Sequence, residues 1–210
     1  MLNNNLYTNL SLKTRIIRKK DFKNILNDEI FDKNLTNLHQ NYIFKNRRSY
    51  RGSMINLSYE ELKNFIETIS RRTNYHPIPI AGNISPLGAF CLNKENLYYS
   101  NFLNDSFNIF YSSSLKNYIQ RQINRSDIKG NGGTIFLLCL DFNILKSKYL
   151  QQSDILSWVD LGCLLEGMSI ITALQSYRCC IHFFIQDPVE IVFNHIAYTP
   201  VCIFRIGHKK

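Results

Sequence analysis

Three short stretches of this chain carry residue types that could do chemistry together. Arg47-Arg48-Ser49-Tyr50-Arg51 sets guanidiniums and a hydroxyl at alternate positions. In an extended segment Arg47, Ser49 and Arg51 share one side, where they can converge on a phosphate through charge-assisted hydrogen bonds. A loop follows, His76-Pro77-Ile78-Pro79-Ile80-Ala81-Gly82-Asn83-Ile84-Ser85-Pro86. Its prolines exclude a helix, and Gly82 lets backbone approach a flat ring. Lys148-Tyr149 then stands between an apolar run and a long apolar segment. There a lysine can take a proton and a tyrosine can orient it or donate one.

Each stretch taken alone has a plainer explanation. The basic run resembles a solvated surface, the loop an ordinary connector, and the Lys-Tyr pair a chance neighbour. Other routes to chemistry find less support. The Pro/Gly loop has neither the GxGxxG pattern nor the Gly-Lys-Ser/Thr of a P-loop. His39, His76, His182, His195 and His208 are dispersed, so no Ser-His-Asp or Cys-His set follows from spacing. Cysteine and histidine do not cluster at zinc-ligand spacing, and no metal is expected. Asp160 and Glu166 lie on different faces of a helix, where each caps a neighbour or pairs with a cation.

The totals narrow the class. A chain of 210 residues with 45% apolar and 20% charged residues suits one globular domain and not a disordered chain. Of the net charge of +9, residues 1–51 carry +7. That segment could steer an anionic partner or simply be a solvated surface. Nucleic-acid binding there would show steep salt dependence and is not the preferred reading. Cys91, Cys139, Cys163, Cys179, Cys180 and Cys202 sit mostly in apolar runs, and a bridge between the neighbours Cys179 and Cys180 would be strained. A reducing, cytoplasmic setting is therefore expected. The start, Met1-Leu2-Asn3-Asn4-Asn5, lacks the pattern of a secretory signal. The apolar stretch near 155–177 contains Asp160 and Glu166 and reads as a buried helix, not a membrane span.

The elements that must position these residues follow from capping and periodicity. Residues 1–45 form a basic, Asn-rich extension with a short helix near 20–27. Ser58 and Glu61 form a capping box ahead of Leu62, Phe65, Ile66 and Ile69, with Arg71-Arg72 at the far end. Strands are predicted over 88–92, 96–99 and 107–111, and Ser114 caps a helix to about 124. Residues 134–140 are almost wholly apolar and read as a central strand buried on both faces. A helix runs from Ser153 or Asp154 to about 177, apolar around most of its circumference, at the centre of the fold or in a subunit interface. A strand over 179–185, a helix opening at Asp187-Pro188 and a last strand over 200–206 complete the order. It mixes α and β without the alternation of a doubly wound sheet.

In this order the three stretches resemble the nitroreductase-like flavin family. More closely they resemble its azoline dehydrogenase branch, which matures thiazole/oxazole-modified peptides of the microcin and streptolysin S type. The likeness rests on Arg47-Arg48-Ser49-Tyr50-Arg51, on Pro79-Ile80-Ala81-Gly82-Asn83-Ile84-Ser85-Pro86, on Lys148-Tyr149, on Asp160-Leu161-Gly162 and on a last strand ending at Gly207. It spans roughly residues 45–207. Ile80, Ala81 and Ser85 stand where the family usually has serine, glycine and tyrosine, and Leu165-Glu166-Gly167 replaces a common Gln-Asn.

The resemblance implies an α+β nitroreductase-like fold over 46–210, a mostly antiparallel central sheet with flanking helices, in a homodimer that binds flavin mononucleotide (FMN). Arg47, Ser49 and Arg51 would hold the cofactor phosphate, and Pro79, Ala81 and Gly82 would approach its ring. Lys148 would be the base, assisted by Tyr149. The implied reaction oxidises thiazoline or oxazoline rings of a precursor peptide to thiazole or oxazole, beside cyclodehydratase subunits, with no membrane or nucleic-acid partner. Two alternatives stay open. One is a general NAD(P)H-dependent nitroreductase-type enzyme. The other is a degenerate scaffold, for which the substitutions at Ile80 and Ala81 are the motive.

Overall fold

Ser58 begins the first helix in the way its sequence demands. Its hydroxyl accepts from the Glu61 backbone N–H while the Glu61 carboxylate accepts from the Ser58 N–H. Both orphan donors are thereby satisfied. In the computed structural model, which describes residues 49–70, 78–81, 84–102, 107–125, 130–183, 185 and 189–210, this helix is α1, Tyr59–Ile69. Leu62, Phe65, Ile66 and Ile69 are its buried face. The expected N-terminal helix and Arg71-Arg72 lie outside the described residues.

The strands are β1 (Met54–Ile55), β2 (Leu87–Asn93), β3 (Asn96–Ser100), β4 (Asn108–Phe110), β5 (Thr134–Leu140), β6 (Arg178–His182), β7 (Ile191–Phe193) and β8 (Ile196–Lys209). All pairings between them are antiparallel. The path runs β1-β8-β5-β2-β3-β4, with β6 and β7 also on β8. Strand β5 is buried at all seven positions, as its apolar run requires. Strand β8 is longer than the expected 200–206. It extends back to Ile196 and pairs with β1, β5, β6 and β7. Its register against β5 shifts at Leu138/Cys139, beside Pro200, which has no N–H to give the ladder. Near its end, a Cβ on Gly207 would come 2.3 Å from the Ile55 carbonyl oxygen, so β1 can approach only a glycine.

Two apolar layers clothe the sheet. On one face α1 and the long helix pack Phe65, Ile66, Leu161, Leu164 and Met168 against Phe136, Leu138, Cys202 and Phe204. On the other, α2 (Ser113–Arg125) places Leu115, Tyr118 and Ile119 against Phe90, Leu137 and Ile203. Ser112, not Ser114, caps α2, accepting from the Leu115 N–H.

Three further expectations are corrected. The Lys148-Tyr149 pair, which the sequence places between two predicted elements, stands in a helical turn of its own, α3 (Lys146–Tyr149), followed by a 3-10 turn, Leu150–Gln152. The long helix α4 (Ser153–Leu174) ends before 177, and Ser176, in the left-handed region at φ 61°, begins the turn into β6. Helix does not follow Asp187-Pro188 through 191–193. That segment is β7, turned into β8 by Asn194 and His195, with φ of 50° and 64°. A two-residue turn with both φ values positive matches the strands' right-handed twist.

The run Lys146–Leu174 is long and apolar enough to cross a membrane by composition. Leu161, Leu164, Leu165 and Met168 within it belong instead to the core beneath the sheet. All six cysteines are free. Burial holds Cys91 and Cys139 far above the usual thiol range and pushes Cys202 up to about 12, which keeps all three protonated.

Candidate functional site

Ser49 to Arg51 run beside β6. Ser49 bridges Cys179 in parallel, and the Tyr50 N–H donates to the Cys179 carbonyl at 2.8 Å. The Ser49 hydroxyl lies 3.1 Å from the Cys180 sulfur, and Arg51 is exposed. The extended path required of the Arg-Ser-Arg segment is therefore present over its described part; Arg47 lies outside the described residues.

Pairing of β6 with β8 brings two further residues to this end of the sheet. Arg205 lies opposite Cys180, and His182 opposite Ile203. Side chains of Cys180, His182, Ile203 and Arg205 therefore share one face. Arg205 is only 1% exposed. Its guanidinium donates to the carbonyls of Gly130 and Gly52, each at 2.9 Å, and to that of Tyr50 at 3.4 Å. Its Nε is buried with no hydrogen-bond partner, and so is Nε2 of His182. Burial, with the positive charges of Arg205 and Arg51, holds the His182 imidazole below its ordinary pKa. Among the described residues no carboxylate pairs with Arg51 or Arg205. Arg51 is the exposed cation of this corner, while Arg205 and the two unpartnered nitrogens are buried, and the Arg205 guanidinium fixes the backbone on either side of Arg51.

The Pro/Gly loop is seated on α4 by two contacts. Ile78 packs over Gly167, where a Cβ would meet its side chain at 2.8 Å. The Ala81 N–H donates to both oxygens of Asp160, at 2.9 and 3.2 Å. Asp160 thus caps a neighbour, and burial raises its carboxyl to about 6 despite that bond. Gly162, the helix glycine in the resemblance, is exposed, and a Cβ there would meet nothing within 4 Å; Gly167 is the glycine that admits the loop. Pro79 is exposed and Ala81 half-buried, while Gly82 lies outside the described residues.

Lys148 is exposed at the start of the same helical run, its Nζ 5.5 Å from the Tyr149 ring centroid. The loop reaches α4 at Asp160, about 10 Å along the axis from Ser153 at the usual rise per residue. Lys148 stands in α3, one 3-10 turn before α4, and the loop meets α4 further along. Sequence reading missed Arg205 and His182. The available signal was the guanidinium in Pro200-Val201-Cys202-Ile203-Phe204-Arg205-Ile206, a charge inside an otherwise apolar strand.

No protein-family model and no curated protein matches this chain. Solved structures do. A crystal structure assigned to the nitroreductases, from Ralstonia eutropha, superposes with a TM-score of 0.65 at 11% identity, covering 80% of this chain and 81% of that one. A chain of the E. coli microcin synthetase McbBCD complex with truncated pro-MccB17 bound gives 0.58 at 10% identity, covering 77% and 67%. A nitroreductase family protein from Clostridium novyi gives 0.52 at 14% identity, covering 80% and 83%. The fold is therefore the α+β nitroreductase fold expected from the sequence.

Proposed function

We propose that this chain is an FMN-dependent oxidoreductase, and within that class an azoline dehydrogenase acting on a ribosomally made peptide. The observation that carries the flavin reading is the cationic corner around Ser49. Ser49 and the exposed Arg51 suit a phosphate of the size and charge that FMN carries, Arg47 is the natural third member, and buried Arg205 fixes the Tyr50 and Gly52 carbonyls on either side of Arg51. Pro79, Ala81 and Gly82, on a loop clamped by Asp160 and Gly167, would approach the ring. When bound, FMN would supply two-electron redox chemistry. This chain's own residues hold the phosphate, position the loop and move the proton. Lys148 takes a proton from the substrate ring and Tyr149 orients the amine. The exposed α4 residues Ile155, Trp158 and Val159 suit a second copy of this chain, which would give Lys148 the apolar cover it lacks here. The fold shared with a microcin synthetase chain supports the azoline assignment, and with it cyclodehydratase partners and a precursor peptide. Closer superposition on the Ralstonia eutropha structure favours the second reading, an NAD(P)H-dependent nitroreductase.

The first test is the visible spectrum of freshly purified protein, with the released chromophore weighed by mass spectrometry. Stoichiometric FMN supports the proposal; a colourless protein that takes up no added FMN ends the enzyme reading and leaves a scaffold. Rapid bleaching of bound FMN by NADPH would move the assignment to the second reading. A Lys148→Ala variant that binds FMN is expected to lose azoline oxidation at least 100-fold, on the general scale of positioned acid–base groups. Oxidation at the native rate would remove Lys148 from the mechanism.

A further inference from the structure

On the sheet face away from α1 and α4, a cleft of about 620 Å³ opens between α2 and β7. Phe90, Phe110 and Phe193 make its floor, with ring centroids 5.1 to 5.7 Å apart. Ser114, Tyr118 and Arg121 line it from α2, at the spacing of one helix face. Val189, Glu190 and Val192 line the other side. None of these residues belongs to the cationic corner or to the loop on α4.

Among the described residues β7 pairs only with β8, so the wall it forms presents an open strand edge. It pairs with β8 through Ile191↔Tyr198, Val192↔Ala197 and Phe193↔Ile196. In a hairpin closed by the two residues Asn194 and His195, the pair next to the turn is hydrogen-bonded and the next is not. The Val192 N–H and C=O therefore point away from β8. Its side chain is 70% exposed, and Val189 is also exposed. Apolar, unpaired edges are normally shortened, charged or covered. Here a strand edge faces a helix across an aromatic floor, the arrangement in which an extended peptide adds as a strand.

We propose that this groove binds an extended peptide segment that pairs with β7 through Val192 and buries an aromatic or large aliphatic side chain on Phe90, Phe110 and Phe193. Arg121 and Glu190 on opposite walls favour an acidic residue at one end of the segment and a basic residue at the other. A bound strand gives the Val192 backbone its partners, and the floor gives the side chain its selectivity. The role does not depend on FMN.

The probe is a fluorescein-labelled, acetyl- and amide-capped Lys-Thr-Phe-Thr-Glu peptide, followed by anisotropy on the full chain. A second form carries benzoylphenylalanine in place of Phe for photo-crosslinking. Saturable binding is expected, with crosslinks at 110–121 and 189–193. Replacing the peptide Phe by Gly, Val192→Pro, and Ser114→Trp should each weaken binding at least tenfold. Val192→Pro removes only an outward N–H, a position where an edge strand accepts proline, and an unchanged melting temperature checks its fold. Binding unaffected by Val192→Pro, or crosslinks elsewhere, overturns the proposal. Equal affinity for capped phenylalanine alone would make the cleft a small-molecule pocket instead. A drop in sedimenting mass on Val192→Pro would assign the edge to a second copy of this chain, and the peptide role would be wrong.

Discussion

Arg205 is a guanidinium inside the otherwise apolar run Pro200 to Ile206 of β8, and its surroundings explain how it is tolerated. Three backbone carbonyls accept from it, and its Nε is left over. Arg205→Met is expected to cost about 2–4 kcal/mol, because the carbonyls of Gly130 and Gly52 lose a charged donor. FMN uptake should fall with it. A urea titration together with equilibrium dialysis of FMN separates the two effects. Full FMN affinity in a folded Arg205→Met protein would remove this residue from the phosphate site. Asp160 gives a pH prediction. Burial raises its carboxyl from 3.8 to about 6. The folded chain therefore binds this proton more tightly than the unfolded chain. Stability falls as pH rises through the window from about 4 to 6, and ionised Asp160 costs about 3 kcal/mol above it. Asp160→Asn keeps an oxygen for the Ala81 N–H and has no charge to bury. It should be more stable than the parent at pH 7 and flatter between pH 4 and 6, measured by denaturant unfolding at each pH. Parallel curves for the two proteins would refute the account.

At the scale of elements, legibility followed the range of the forces involved. The box at Ser58 and Glu61, the nearly all-apolar run of β5 and the apolar length of α4 are local patterns, and the structure bears them out. The β7–β8 hairpin stands where the sequence predicts a helix after Asp187-Pro188. Its turn is Asn194-His195, without the glycine that usually marks a type I′ turn. Pro188 instead suggests a helix start. The cost of that missing glycine is testable. His195→Gly removes a side chain from a position at φ 64° and should raise stability by up to about 1 kcal/mol, or a few degrees in a thermal melt. A lower melting temperature would mean that the imidazole makes a contact worth more than the backbone strain. The turn of α3 was missed because a segment as short as Lys146–Tyr149 has no periodicity to read.

For the whole molecule, α4 is the element with two duties. One side lies under the sheet through Leu161, Leu164 and Met168, while Ile155, Trp158 and Val159 stay exposed, Trp158 at 49%. Together they account for a helix whose apolar residues run round most of its circumference. The homodimer proposal puts the exposed side against a second copy, the sort of apolar face that obligate interfaces bury. Ile155→Glu with Trp158→Glu is expected to convert a sedimenting dimer into a folded monomer and to lower FMN occupancy. A double variant that still sediments as a dimer places the interface elsewhere.

The amino-acid sequence determined the mixed α and β character, the capped first helix, the central strand and the separation of Arg47-Arg48-Ser49-Tyr50-Arg51 from the rest of the candidate site. These follow from spacing, capping and solubility, which act within a few residues. Only the tertiary structure decided that Arg205 and His182 stand with Ser49 and Arg51, that Asp160 and Gly167 seat the loop through Ala81 and Ile78, and that β7 presents an open edge above three phenylalanines. Each of these depends on which strand pairs with which, and at what register. Strand register places residues 131 or 155 positions apart in contact. It is set by the packing of both faces of the sheet at once, which no single segment encodes.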